Sequence, residues 1–253
     1  MAKKRTDIIL DILKAQGYVT VKYLTEQLHY STATINRDLN LLQKQGLIKR
    51  HYGGAELAEH KGVPLTFRYH KMKPAKNIIA KKAAEFINDG DTVFIDASTT
   101  TQYIGQYITD RNDLTVITNN MILTSYLSEY GIKCICLGGE VVEIPYMLGG
   151  NQTVENARTY KADKFFFATS GITENGIISD SDGYYFLRKI MSENSDEVFY
   201  LADHDKVGKS DSRICFDLND INYVISDYSF PIKLKNKFKS TNFIKVDTPK
   251  SQK

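Results

Sequence analysis

The chain has 253 residues, of which 42% are hydrophobic and 25% charged. That is the composition of an ordinary globular protein rather than a disordered one, with room for one or two domains at ~100–200 residues each. No apolar run nears the ~20 residues that span a bilayer, and the basic start Met1-Ala2-Lys3-Lys4-Arg5 leads into an amphipathic pattern rather than a signal peptide. The net charge is only +3, but residues 1–60 hold nine Lys/Arg against six Asp/Glu, whereas residues 61–253 hold 24 of each. The excess sits in one N-terminal segment, as expected of a segment that faces phosphates, although solubility alone accounts for as much. Cys134, Cys136 and Cys215 form neither an even framework nor a CxxC pair, so a reduced, cytoplasmic setting is expected. Cys134 and Cys136 alternate with Lys133 and Ile135, which suits strand core better than metal ligation.

Thr6 to Gln16 places Ile8, Ile9, Ile12 and Leu13 on one helical face and stops at Gly17. Tyr18-Val19-Thr20-Val21 is a short β-prone link. A second helix from about Val21 to His29 carries Val21, Leu24 and Leu28 on one side. After His29-Tyr30, Ser31 can cap a third helix, since its hydroxyl accepts an orphan first-turn amide. Ile35, Leu39 and Leu42 would seat that helix on a core. Thr32, Thr34, Asn36, Arg37 and Asn40 then point largely outward, and these are side chains that read base edges and phosphates in a major groove. Two helices, a tight turn and a polar-faced third helix make a helix-turn-helix plan. Leu47 to Leu57 reads as two short strands around Gly53-Gly54, a β-wing whose Lys49, Arg50 and His51 would touch the DNA backbone or minor groove. A plain hairpin turn also explains the two glycines.

This module resembles the DeoR family of bacterial transcriptional regulators. The resemblance rests on Arg5-x-x-Ile8, Gly17-x-Val19-x-Val21-x-x-Leu24, Ser31-x-x-Thr34-Ile35-x-Arg37-Asp38-Leu39 and Gly46-Leu47-Ile48-x-Arg50-x-x-Gly53-Gly54-Ala55. Asn36 stands where the family usually has an arginine, and Tyr52 where it usually has a histidine. Arg prefers guanine and Asn adenine, each bidentate pair worth ~1–3 kcal/mol of discrimination. If Asn36 reaches a base, the operator should therefore differ from those of Arg-bearing relatives. If it meets phosphate alone, affinity should change more than sequence preference.

Glu56 to Lys73 is mixed and charged, with Gly62 and Pro64, and reads as a linker with room for one short helix. The expected organisation is a winged helix-turn-helix domain over 1–57, a linker over 58–74 and an α/β domain over 75–253. Within the last, helices at 76–88, from 101, at 121–130, 152–160 and 184–194 alternate with strands at 92–95, 114–117, 132–137, 164–168 and 198–201. This alternation predicts a mainly parallel sheet covered on both faces. Ile214-Cys215-Phe216, Tyr223-Val224-Ile225 and Phe243-Ile244 would finish it. Lys233, Lys235, Lys237 and Lys239 read as a solvated face.

Small and polar residues collect where these strands end: Asp96-x-Ser98-Thr99-Thr100, Thr118-Asn119-Asn120, Gly138-Gly139, Thr169-Ser170-Gly171 and Asp203-x-x-Lys206. Ligands of open α/β sheets bind outside the carboxyl ends of the strands. Hydroxyls and amides before a helix start suit a phosphate, and Gly138-Gly139 would let backbone approach a ligand. Lys206 would supply charge to the phosphate, and Asp96 or Asp203 would accept sugar hydroxyls. Ordinary helix caps explain any single loop as well. His204 between Asp203 and Asp205 does not make a metal site, because three adjacent residues cannot converge on one ion.

Asp96-x-x-Thr99-Thr100, Val116-Ile117-Thr118-Asn119, Leu137-Gly138-Gly139, Gly171-Ile172 and Asp203-x-x-Lys206-x-Gly208-Lys209 resemble the C-terminal sensor domain of the same family. The resemblance implies a ribose-5-phosphate-isomerase-like fold and a phosphorylated sugar as effector, with no cofactor. Ser98 stands where the family usually has glycine, and would narrow the phosphate end. Tyr184 stands where it often has glutamate, and would stack on or seal a ligand. The expectation is a repressor of a sugar uptake or catabolic operon, acting on double-stranded operator DNA as a homodimer or homotetramer. Two other readings stay open: an isomerase-like enzyme using Asp96, Asp203 and Lys206 as acid–base groups, and an effector-independent DNA-binding protein.

Overall fold

The computed structural model describes residues 4–16, 18–51, 53–57, 72–143, 146–180 and 184–247. They form two compact units, Met1–Lys71 and Met72–Lys253. Gly17, Tyr52 and most of the expected linker, with its short helix, lie outside the described residues.

The first unit runs α1 (Arg5–Gln16), β1 (Tyr18–Thr20), α2 (Val21–Leu28), α3 (Thr32–Lys44), β2 (Ile48–His51) and β3 (Gly54–Leu57), with the strands ordered β1-β3-β2 and antiparallel. Thr20 caps α2 by accepting from the Tyr23 amide at 3.0 Å. The apolar faces expected from spacing meet in one core of Ile9, Leu13, Val19, Leu24, Ile35, Leu39, Leu42, Ile48 and Ala55. The two wing glycines differ in role. Gly53 turns the chain at φ 84°, in the left-handed region that favours glycine. Gly54 is a close approach, since a Cβ there would lie 2.0 Å from Tyr18 Oη and 2.4 Å from the Val19 carbonyl. Gly54→Ala should therefore destabilise this unit by about 1–3 kcal/mol, the usual cost of overpacking. Hydrogen exchange of the α3 amides should accelerate while those of the second unit stay protected.

The second unit begins at α4 (Lys73–Ala84), three residues earlier than periodicity suggests, because Pro74 fits the first turn. Its centre is a seven-stranded parallel sheet built of β4 (Thr92–Ile95), β5 (Thr115–Thr118), β6 (Lys133–Cys136), β9 (Ala162–Phe167), β12 (Ser195–Ala202), β14 (Tyr223–Ser226) and β15 (Asn242–Lys245). The order is β15-β14-β12-β9-β4-β5-β6. One face packs Val93, Ile95, Val116, Phe166 and Phe199 against Ile79, Ala80 and Ala83 of α4 and Leu123 and Leu127 of α5 (Met121–Glu129). On the other face Phe94, Phe165, Phe167 and Tyr200 form a chain of ring contacts that ends on Phe216.

Four features depart from expectation. The segment after Thr100 is a 3₁₀ helix, Thr101–Tyr107. Its first-turn groups are taken locally, with the Thr101 amide on Ser98 Oγ at 3.2 Å and Thr101 Oγ1 on the Asp96 carbonyl at 2.8 Å, and such bonds compete with α-helical ones. Ile214 to Phe216 does not finish the main sheet. It lies in β13 (Arg213–Asp217), which joins β10 (Gly171–Ile172) and β11 (Ile177–Asp180) in a separate antiparallel sheet. Cys136 is exposed rather than core, because β6 is an edge strand. An unforeseen hairpin, β7 (Glu140–Glu143) and β8 (Met147–Gly149), precedes α6 (Asn151–Arg158). No helix of the described residues is long and apolar enough to cross a membrane.

Candidate functional site: a DNA-reading helix and a buried polar cluster at the sheet edge

Ser31 caps α3, its hydroxyl 3.3 Å from the Thr34 amide and 2.9 Å from Thr34 Oγ1. With Ile35, Leu39 and Leu42 buried, Thr32, Arg37 and Asn40 are exposed and Thr34 and Asn36 half-exposed. Asp38 of the same helix turns inward to an ion pair with Arg5, whose Nη2 lies 3.1 Å from Asp38 Oδ1. Arg5 also lies over the Tyr30 ring at 4.3 Å. The Asp38 carboxylate pushes the Arg5 guanidinium further up, and their hydrogen-bonded pair ties α1 to α3.

The wing residues divide. Lys49 is exposed. Arg50 reaches back across α3, donating to Asn36 Oδ1 at 2.5 Å and to Asn40 Oδ1 at 2.6 Å. His51 does not join that surface. Its Nε2 sits 2.9 Å from Glu56 Oε1, within the hairpin. Beside them burial, with help from Glu56, pushes the Tyr18 phenol up to about 12.

In the second unit, β4 is flanked by β5 on one side and β9 on the other. This is the point where the strand order reverses, the position at which ligands of open α/β sheets bind. Asp96, at the end of β4, is fully enclosed. Its Oδ2 accepts from Arg188 Nε at 3.1 Å, and its Oδ1 from the Ser98 amide at 3.1 Å and Thr101 Oγ1 at 2.9 Å. Arg188, on α7 (Tyr185–Glu193), also pairs with Asp180 Oδ2 at 3.4 Å. Burial pushes the Asp96 carboxyl up, and Arg188 opposes it.

A few residues away, Lys76 is only 2% exposed and donates Nζ to Thr99 Oγ1 at 2.9 Å. Asp203, at the end of β12, is fully buried; its Oδ1 accepts from the Asp205 amide at 3.1 Å, and its Oδ2 has no hydrogen-bond partner among the described residues. Burial pushes this carboxyl up as well, against the pull of Lys206 and then Lys76. Asn119 donates to the Leu148 carbonyl at 2.8 Å, while its buried Oδ1 is likewise unpartnered. Orphaned acceptors thus stand at the carboxyl ends of β12 and β5, on either side of the reversal, and a buried ammonium lies beside the first.

The other expected residues are placed as follows. Thr100 is buried beside Thr99. Thr118 accepts from the Asn120 amide at 3.0 Å. Gly138 and Gly139 take positive φ, but the close neighbours at Gly139 are Thr153 and the Gly149 carbonyl, so its tight approach is to its own chain. Ser170 donates to Asp211 Oδ2 at 2.9 Å, and Gly171 packs against the Lys209 backbone. Lys206 is half-buried, and exposed Lys209 pairs with Asp205 at 2.8 Å. Tyr184 is buried with its ring 5.9 Å from Arg188, and borders a separate cavity of about 340 Å3 between α6 and α7 with Gly150, Arg158 and Phe186. His204 Nδ1 lies 2.5 Å from Asp227 Oδ2.

Lys76, Arg188, Asp180 and Thr101 escaped sequence reading. A signal existed for two of them. Lys76 shares a helical face with buried Ile79, Ala80 and Ala83, and Arg188 with Leu187 and Met191. A cation on an apolar stripe stays only where it is paired.

Because the raised Asp203 carboxyl holds its proton more tightly folded than unfolded, its contribution is fully present below the ordinary carboxylate range. It is lost as pH rises through the raised value. Asp203→Asn should therefore raise the melting temperature at pH 7 by a few degrees, about the 2–4 °C that ~1 kcal/mol gives at this size. The gain should shrink toward zero on acidification to about pH 4, which a melting series across pH reads directly.

Fold and sites together define a DNA-binding regulator with a winged helix-turn-helix and an α/β sensor-type unit. The signature of the DeoR-like helix-turn-helix domain matches residues 5–61, and that of the DeoR C terminal sensor domain matches residues 71–228. The chain is 34% identical over 228 residues to the HTH-type transcriptional repressor GlcR of Bacillus subtilis, covering 89% of this chain and 88% of that one. It is 32% identical over 211 residues to the glycerol-3-phosphate regulon repressor of Escherichia coli, covering 82% and 83%. It is also 32% identical over 254 residues to the lactose phosphotransferase system repressor of Lactococcus lactis, covering 97% and 99%. Among solved structures, ribose 5-phosphate isomerase from Plasmodium falciparum aligns over 52% of each chain at 16% identity with a TM-score of 0.39, too slight a likeness to bear on function. The chain belongs to the DeoR family of transcriptional regulators.

Proposed function

We propose that this regulator represses a sugar uptake or catabolic operon and that a phosphorylated sugar, bound at the carboxyl ends of β4, β9 and β12, controls its hold on operator DNA. The observation that carries the reading is the buried pairing of Lys76 with Thr99 beside Asp203, whose second carboxylate oxygen is unpartnered. Lys76 and Lys206 supply charge for a phosphate, with the hydroxyls of Thr99 and Thr100. Asp203 accepts from sugar hydroxyls, and so satisfies an oxygen that otherwise costs stability. The relatives named for glycerol-3-phosphate and for lactose phosphotransfer are compatible with an effector of this kind. Control follows if the sugar phosphate binds one conformation of the second unit better than another, since only differential affinity shifts the equilibrium. In a homodimer or homotetramer, recognition helices must match half-sites about one DNA turn apart, so a small change in their spacing lowers affinity sharply.

A thermal-shift panel of sugar phosphates tests the effector. A true ligand at a hundred times its Kd stabilises the native state by ~2.7 kcal/mol, so at least one compound should raise the melting temperature of the full chain by several degrees. The same sugar without phosphate should do little. No shift across aldose, ketose and polyol phosphates would refute the effector reading and leave an effector-independent DNA-binding protein.

A further inference from the structure

The DNA-facing surface contains a clamp that α3 alone does not predict. Arg50, on the wing, donates Nη2 to Asn36 Oδ1 at 2.5 Å and Nη1 to Asn40 Oδ1 at 2.6 Å. The two asparagines are four residues apart and stand one above the other on the same helical face. A guanidinium has five N–H donors and no acceptor, so only the amide oxygen of each asparagine can face it. The opposite flip would set N–H against N–H twice. The single fork of Arg50 therefore fixes the orientation of both amides and leaves each with its NH2 to offer outward.

We infer that Arg50 is a specificity-positioning residue: by holding the oxygens of Asn36 and Asn40 it makes α3 present hydrogen-bond donors at both positions, which fits the acceptor-only edge of guanine rather than adenine. The inference deepens the reading of α3 as the operator-reading helix and rests on it. An unconstrained asparagine pairs bidentately with adenine, accepting from N6 and donating to N7. Here one lone pair of the amide oxygen is taken by a short, charge-assisted bond from Arg50, so adenine N6 would have to share that oxygen with the guanidinium, donor beside donor. Guanine offers two acceptors in the major groove, N7 and O6, and both suit an outward NH2. Asn36 read by itself points to adenine, and the wing residue fourteen positions later reverses that expectation.

The test is operator binding at fixed salt, by fluorescence anisotropy, for the full chain and for Asn36→Ala, Arg50→Ala and Arg50→Lys. The half-sites carry each base in turn. Wild type should prefer guanine at the base pair where Asn36→Ala loses discrimination, and should weaken roughly tenfold when 7-deazaguanine removes the N7 acceptor. Arg50→Ala should move the preference at that pair to adenine, because the freed amide regains the bidentate mode. Arg50→Lys keeps the charge without the fork, so it should retain the wild-type salt dependence and still lose the guanine preference. It also guards against an alanine variant that folds poorly. A wild-type preference for adenine at that pair overturns the inference. So does a uniform loss across all sequences in both Arg50 variants, which would mark a phosphate contact. Failure of wild type to bind any fragment of its own promoter region would instead contradict the operator reading, and this inference would fall with it.

Discussion

Arg188→Met is expected to cost the second unit about 3–5 kcal/mol, the usual penalty for removing one partner of a buried ion pair. Arg188 stands between two carboxylates, 3.1 Å from Asp96 Oδ2 and 3.4 Å from Asp180 Oδ2, and all three side chains are 3–4% exposed. Methionine fills a similar volume, so the loss comes from charge rather than from a cavity. Burial already drives the Asp96 carboxyl up, and Arg188 is the strongest opposing influence. Without it the carboxyls would be driven to take protons. The variant should therefore lose least in acid, where protonation is cheap, and most near neutrality. The companion Arg188→Met, Asp96→Asn, Asp180→Asn should recover most of the loss, because neutral, hydrogen-bonded groups replace stranded charges. Urea melts at pH 4.5 and 7.5 check both parts, followed by hydrogen exchange of β4 and β12 so that the two units are not confused. An Arg188→Met protein that melts with wild type at pH 7.5 would show that the triad carries no such charge balance.

Lys76→Met should separate sensing from DNA binding. The ammonium sits on the buried stripe of α4 and reaches Thr99 at 2.9 Å. Truncating a buried charge that pairs with an anionic ligand typically costs 2–5 kcal/mol of binding. That corresponds to roughly 30- to 5,000-fold in Kd. The sugar phosphate that shifts wild type should leave this variant nearly unmoved at the same concentration. Operator affinity without ligand should stay within about threefold of wild type, since Lys76 belongs to the second unit and the reading face to the first. An unchanged ligand Kd, measured by calorimetry, would remove Lys76 from the site.

Much of this was legible in the chain, and the limits have physical causes. Helical spacing alone placed Ile35, Leu39 and Leu42 in the core and Ser31 at the cap, because local periodicity and capping are properties of short segments. Alternating elements gave the parallel sheet, and the run of polar strand ends marked the edge where the effector is proposed to bind. Pairings across distance were not legible. Arg50 meets Asn36 and Asn40 through the fold of the wing, and Arg188 meets Asp96 from 92 residues away. His51 has the composition of a DNA contact, yet hairpin register sets it beside Glu56. Ile214 to Phe216 reads as one more strand, and nothing local says which sheet it joins. Gly139 illustrates the converse, since a glycine announces a close approach but not to what.

The central claim is that occupancy of the β4–β9–β12 edge changes the hold of α3 on DNA. The most direct measurement is a mobility-shift titration of the full chain on its own promoter region at fixed salt. It uses the sugar phosphate picked by thermal shift, with Lys76→Met run in parallel. The account predicts release of wild type, with apparent affinity falling at least about tenfold, a coupling of ~1.4 kcal/mol, while Lys76→Met stays bound. If the sugar phosphate binds the protein at saturating concentration and operator affinity does not move, the two sites are uncoupled and the account is wrong.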